Sequence, residues 1–190
     1  MPDNSDVFSA VRRGYSEFES SSPEDICEYF NSLNEESLNG HINNIKGIVF
    51  EQEIVDFLNE NGVSSALFDA TNHPDSDIFL FDDSEIISEF QLKATDSAQY
   101  IAETLEENPD IPIIATTEVA SSFDRNEMVI DSGISNEDLT EFVTESITGG
   151  ATEIAHDSIS DSINESIIEN VVDFSLPIPF SPFWLLGLPF

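Results

Sequence analysis

Only two lysines occur among the 190 residues, and one of them, Lys93, ends a short segment with several polar side chains. Gln91 lies two residues before Lys93, and Glu89 lies two residues before Gln91. Side-chain oxygens of this kind are metal ligands in proteins, so a lysine retained beside them indicates a position that needs a positive charge. The alternative is that Lys93 is simply one of the few lysines left in the chain.

Glu51 is the second candidate, on a helix predicted from about Asn39 to Asn61. At 100° per residue, four apolar side chains lie within about 60° of Glu51 on the helix surface; they are Ile48, Ile54, Val55 and Leu58. A carboxylate on such a face is costly to bury unless a cation or metal pairs with it. Alternatively, Glu51 lies at the edge of the core and reaches solvent or Lys46.

Asp77 is the third candidate, because it immediately precedes a predicted strand. It follows the turn-like segment 72–76, in which Asp75 comes directly after a proline. Asp75 is therefore an alternative to Asp77, which we prefer because the strand begins directly after it.

The elements that must position these residues form an α/β pattern. Alternation places Glu89, Gln91 and Lys93 on one strand face with Ile87, and Ile86, Ser88, Phe90 and Leu92 on the other. Strands are predicted at Val63–Phe68, Ile78–Phe81, Ile86–Lys93, 111–116 and Met128–Ile130, with a helix at Ser97–Glu107 after the third strand. This order predicts an α/β core with a mixed sheet flanked by helices.

The three candidate positions resemble the metal site of the PD-(D/E)xK nuclease superfamily. Members carry an acid on a helix, an aspartate opening one strand, and an acid or glutamine two residues before a lysine on the next. Gln91-Leu92-Lys93 is similar to the QxK form of some restriction-type and Mrr-like members. The resemblance covers about 75 residues and implies a core like that of restriction endonucleases and Holliday-junction resolvases.

The resemblance also implies roles for these residues in metal-dependent hydrolysis of DNA phosphodiester bonds. Asp77 would be the principal ligand of Mg²⁺ or Mn²⁺, and Glu51 a second one, directly or through water. Gln91 would offer its side-chain oxygen, and Glu89 could compensate for the missing acid at that position. Lys93 would steer the attacking water or offset charge developing on the phosphate.

The composition indicates the salt conditions under which this chemistry would occur. Five Lys and Arg against 39 Asp and Glu leave a net charge of -34, while 39% hydrophobic residues favour a folded chain. The balance resembles that of proteins from extreme halophiles, since molar salt screens such self-repulsion. An acidic nucleic-acid mimic is the alternative. Low positive charge also weakens binding to phosphates in dilute buffer.

Four segments are predicted along the chain. An N-terminal helical segment spans 1–36, with a helix start at Ser22-Pro23, and the nuclease-like core spans 37–133. A helical extension spans 134–172, where isoleucines and a valine at intervals of four predict an amphipathic helix over 152–172. An apolar, proline-rich tail spans 173–190.

The two C-terminal segments leave a second function open. The apolar stripe of the extension would pack on the domain or bind a partner. The tail would fold over the core, bind a partner or insert at a membrane interface. The alternative function is thus a catalytically inactive nuclease-fold module that binds a protein partner, a second copy or a membrane surface. A structural or membrane-peripheral protein with an accidental motif is a third hypothesis.

The remaining reactive residues give weaker indications. A single cysteine, Cys27, excludes an internal disulfide, and the start of the chain has no signal-peptide pattern, so a cytoplasmic protein is expected. Three histidines, His41, His73 and His156, have no partner at metal-binding spacing. Arg12 and Arg13 form the one basic pair, which would contact phosphate or pair with neighbouring acids.

Overall fold

The structure is a computed structural model that describes residues 4–68, 75–149, 159 and 162–175. The N-terminal helices are α1 (Asn4–Gly14), α2 (Pro23–Asn31) and α3 (Glu35–Glu60), with a 3₁₀ turn at Ser16–Phe18. The strands are β1 (Ser65–Leu67), β2 (Ile78–Asp82), β3 (Glu85–Lys93), β4 (Ile113–Ala115) and β5 (Val129–Asp131). The later helices are α4 (Ala98–Glu107), α5 (Thr117–Ala120), α6 (Asn136–Thr148) and α7 (Ser166–Ser175), with a second 3₁₀ turn at Ser121–Phe123.

Side-chain caps set the starts of the N-terminal helices. The Ser22 side chain accepts the Asp25 N–H, and the Asp25 carboxylate accepts the Ser22 N–H, which forms the capping box expected before Pro23. Helix α3 begins four residues before the predicted Asn39, because the Asn34 side chain accepts the Ser37 N–H at 3.0 Å.

The five strands form one mixed sheet in the order β1-β2-β3-β4-β5. Strand β2 pairs antiparallel with β1 and β3, whereas β4 pairs parallel with β3 and β5. The connections between the parallel strands contain α4 and α5. The predicted α/β class, with a mixed sheet flanked by helices, is therefore confirmed.

A bulge in β3 changes which residues share a face. The register pairs Phe79 with Glu89 and Leu80 with Ser88, but then Phe81 with Ile86, so that Ile87 is the extra residue. Directly paired residues lie on the same side of a sheet. Ile86 therefore lies on the Phe79 and Glu89 face, and the prediction that it shares a face with Ser88 is wrong.

Each face of the sheet packs against a different set of helices. Ile78, Leu80, Phe90 and Leu92 belong to the main core, which also contains buried side chains of α1, α2, α3, α6 and α7. Ile113 and Ala115 face a smaller core formed with α4 and α5. Because Gln91 pairs with Ile113 and Lys93 with Ala115, both strand positions belong to this second face.

The C-terminal extension packs on the domain where the structure describes it. Ile159, Ile163, Ile167 and Val171 are all buried in the main core. The predicted helix over 152–172 is not continuous, since residues 163–165 are not helical and α7 begins at Ser166. The tail beyond Ser175 lies outside the described residues, and no helix among the described ones is both long and apolar enough to span a bilayer.

Candidate functional site

Asp77 and Lys93 meet where β2 and β3 move apart. The Asp77 N–H donates to the Phe90 carbonyl at 2.9 Å, which continues the ladder one residue before β2 begins. Beyond that point the Asp77 carboxylate replaces a backbone acceptor, because its Oδ2 accepts the Leu92 N–H at 2.7 Å. The Lys93 ammonium donates to the same oxygen at 3.0 Å. The carboxylate is thus fixed at the end of the two strands.

Glu51 approaches this pair from α3. Its side chain is only 14% exposed, as expected for a position among buried Ile48, Ile54 and Leu58. Burial, and then the nearby Asp77 carboxylate, raise the pKa of Glu51 to about 7, although Arg13 and Lys93 act in the opposite direction. The Asp77 carboxylate therefore lies close enough to repel the charged form of Glu51.

The partner of Glu51 is an arginine rather than the lysine considered from the sequence. Arg13 Nη1 lies 3.6 Å from Glu51 Oε2. Lys46 is buried and donates instead to Asn136 Oδ1 at 2.7 Å and Thr140 Oγ1 at 3.2 Å, so it serves the contact between α3 and α6. Glu51 therefore belongs to a charged cluster with Arg13, Asp77 and Lys93, and it does not pair with Lys46.

The remaining predicted site residues have contacts of their own, outside the ion pairs of this cluster. Gln91 is buried, and its side chain forms no hydrogen bond with the residues that the structure describes. Glu89 accepts a hydrogen bond from Ser76 Oγ at 2.7 Å. Asp75 is exposed and has a left-handed φ of 71°, so Asp77 rather than Asp75 is the acid placed at Lys93.

Comparison with protein-family models, curated proteins and solved structures found no match to this chain. The site is therefore interpreted from its own chemistry.

The side-chain oxygens of this site match part of the coordination that a divalent cation requires. Among the described residues, no group of three or more acids, histidines or cysteines stands in an arrangement that could enclose a metal. Mg²⁺ needs less, because it keeps several waters and binds through one or two carboxylates together with substrate phosphates. Glu51 and Asp77, a repelling pair of carboxylates, fit this requirement, and the Gln91 oxygen would be a neutral third ligand.

Arg13 is the site residue whose role the sequence did not decide. Arg13 lies on α1, whereas the other site residues lie on α3, directly before β2 and on β3. The packing of α1 on α3 brings Arg13 to Glu51. The scarcity of positive charge is the sequence feature that could have indicated Arg13, since the chain has only five Lys and Arg. Of the three histidines, His73 and His156 lie outside the described residues, and His41 makes its contacts away from this cluster. His41 packs among aromatic rings and contacts the Tyr15 hydroxyl.

Proposed function

We propose that this chain is a metal-dependent endodeoxyribonuclease of the PD-(D/E)xK type, with Glu51, Asp77 and Lys93 at its centre. The observation that carries the proposal is the distribution of ion pairs. In the part of the chain that the structure describes, the ion pairs are Arg13–Glu51 and Lys93–Asp77, and both involve carboxylates of this site. A chain with few positive charges thus places two of them at two mutually repelling acids.

The topology supports the same proposal at the level of the fold. A helix carrying the acid precedes three antiparallel strands, and a helix then leads to a strand parallel to the third. This order is compatible with the restriction-endonuclease-like core that the resemblance implies, and Asp77 and Lys93 meet at one end of the sheet.

The chain's own groups would act on a bound phosphodiester in distinct ways. Glu51 and Asp77 would hold Mg²⁺ or Mn²⁺, with Gln91 as a neutral ligand. When bound, such a cation polarises the phosphate and lowers the pKa of a nucleophilic water. The Lys93 ammonium, held at the Asp77 carboxylate, would donate to a phosphate oxygen and stabilise the charge that develops there. Glu89, tied to Ser76, would add negative potential beside Gln91.

A noncatalytic binding module is less well supported by the described residues. The stripe that would recruit a partner is formed by Ile159, Ile163, Ile167 and Val171, and these side chains are buried in the chain's own core. Recruitment of a partner by this stripe is therefore not part of the proposal.

The two lysines offer a matched test of the proposed function. We expect the wild type to cleave plasmid DNA in molar KCl with Mg²⁺, and Lys93→Met to lose about 100-fold or more in rate. Lys46→Met removes the other lysine, which contacts Asn136 and Thr140 rather than the cluster, and should retain the rate of the folded fraction measured by circular dichroism. Equal loss in both variants would assign Lys93 a purely structural role.

A further inference from the structure

The two adjacent arginines of α1 have different surroundings. Arg12 donates from Nε and Nη2 to the Ser21 carbonyl at 3.3 and 3.0 Å, and so holds the chain segment that follows α1. Arg13 points the other way, toward Glu51, and Nη2 donates to the Phe68 carbonyl at 3.2 Å. One member of the basic pair is therefore structural, whereas the other faces the candidate site.

The guanidinium of Arg13 retains unused hydrogen-bonding capacity. It carries five N–H donors, yet its hydrogen bond to Phe68 is the one it makes within the described residues. Its Nη1 is buried without a hydrogen-bond acceptor there, because Glu51 Oε2 stands at 3.6 Å, an ion-pair distance too long for a hydrogen bond. Buried donors are normally satisfied, so an unsatisfied one in a charged cluster indicates a position prepared for another acceptor.

The ligand that fits this donor is a phosphate oxygen. A guanidinium presents a planar fork of donors that matches the oxygens of a phosphate, which a lysine ammonium does not. Arg13 and Lys93 contact different carboxylates, Glu51 and Asp77, so each acid of the pair has its own cation. A phosphodiester drawn to the acidic pair through a metal ion would meet both positive groups.

We propose that Arg13 is a phosphate-binding residue of this site that exchanges Glu51 for a substrate phosphate oxygen when the site is loaded. The inference rests on the proposed function, because it assigns the substrate contact of the same site. In the free protein Arg13 compensates part of the Glu51 charge. With Glu51 bound to a divalent cation, the Arg13 guanidinium would be free to donate to the phosphate. No covalent bond is made or broken in this exchange.

If Arg13 exchanges partners in this way, replacing it should change the affinities for DNA and for Mg²⁺ in opposite directions. Arg13→Gln removes a donor to phosphate, so it should weaken DNA binding by about 10- to 100-fold. The same change removes the cation that competes for Glu51, so the affinity for Mg²⁺ should rise by a few-fold. A variant that merely loosened the fold would lower both affinities.

The test compares Arg13→Gln and Arg13→Lys with Arg12→Gln as the matched control. Binding of a duplex oligonucleotide is measured by fluorescence anisotropy over a range of KCl concentrations with Ca²⁺, and Mg²⁺ binding by calorimetry. Each phosphate contact contributes about 0.9 to the slope of log K against log salt concentration. We expect that slope to fall by about 0.9 in Arg13→Gln and to stay unchanged in Arg12→Gln, with partial recovery of affinity in Arg13→Lys.

Several outcomes would overturn the assignment. An unchanged salt slope in Arg13→Gln, equal losses in the Arg12 and Arg13 variants, or no DNA binding by the wild type would each do so. A wild type that binds DNA with the expected Arg13 slope but cleaves no plasmid would instead reject the hydrolytic function, and it would leave Arg13 as a phosphate contact.

Discussion

Glu53 shows how a single buried acid affects this molecule, two residues from the candidate site on α3. It is only 8% exposed, and no described residue donates a hydrogen bond to it. Burial, followed by the nearby Asp6 and Asp56 carboxylates, raises its pKa from 4.5 to about 7. The folded chain therefore holds this proton more tightly than the unfolded chain does, and unfolding releases it between pH 4.5 and 7.

Stability should consequently fall as the pH rises through this window. The contribution of Glu53 is fully present below pH 4.5 and is lost by about pH 7, with a magnitude of at most ~3 kcal/mol. Glu53→Gln should raise the free energy of unfolding at pH 8 relative to wild type, and raise it much less at pH 5. Urea unfolding at both pH values checks this, with exposed Glu106→Gln as control. Equal effects of the Glu53 substitution at the two pH values would contradict it.

The residue scale also shows what the sequence could predict of the site. Helical periodicity makes Glu51 a candidate, and the scarcity of lysine together with strand alternation makes Gln91 and Lys93 candidates, because these signals need no knowledge of tertiary packing. Arg13 reaches the site only through the packing of α1 on α3. Glu53 escaped notice for the same reason, since it is buried between helices whose contact no local pattern reveals.

At the scale of elements, the succession of helices and strands along the chain and the mixed sheet could be predicted, but irregularities could not. The bulge at Ile87 depends on how β2 and β3 register, and it moves Ile86 to the other face. The break at residues 163–165 arises from a distant contact, because the Asn164 N–H donates to the Ser132 carbonyl at 3.0 Å. Apolar spacing alone continues through that break.

Gly133 marks the point where the C-terminal extension meets the sheet. Its φ is 81°, and a Cβ there would lie 2.3 Å from the Ser162 carbonyl oxygen and 2.6 Å from the Asn164 nitrogen. Gly133→Ala should therefore destabilise the chain by roughly 2–4 kcal/mol, through strain and overpacking together.

Gly40 provides the control for this substitution. It lies exposed inside α3 with no atom near the site of an added Cβ. Gly40→Ala should stabilise the chain by about 0.5–1 kcal/mol, because alanine is the better helix former. Chemical denaturation of both variants measures the difference. A Gly133→Ala protein as stable as wild type would show that the extension does not pack closely against the loop after β5.

At the scale of the whole molecule, charge is the dominant property. The chain carries a net charge of -34, and the ion pairs within its described part belong to the candidate site. Most acids therefore repel one another across the surface. Added salt shortens the range of this repulsion from about 10 Å at 0.1 M to about 3 Å at 1 M.

Thermal stability should rise steeply with KCl. We expect the unfolding temperature, measured by circular dichroism at pH 7, to increase between dilute buffer and molar KCl because screening relieves self-repulsion. Sucrose of equal osmolality controls for solute exclusion, which acts without charge. An unfolding temperature that is flat or falling over the same KCl range would contradict a halophilic adaptation.

The same charge makes the proposed function demanding, since phosphate binding by ordinary basic patches is not possible with five Lys and Arg. The site would have to attract DNA through a bridging cation, Lys93 and Arg13. Asp77 is the residue on which this account most depends, because it holds Lys93 at the strand end and would share the cation with Glu51.

The most direct measurement is the rate of plasmid cleavage by wild type and Asp77→Asn in molar KCl with Mg²⁺ or Mn²⁺. The asparagine keeps an oxygen for the Leu92 N–H but removes the charge that would bind the cation. We predict that the wild type converts supercoiled plasmid to open-circular and linear forms and that the folded variant is slower by about 100-fold or more. Absence of cleavage by the wild type with either metal, or equal rates for the two proteins, would contradict the proposed site.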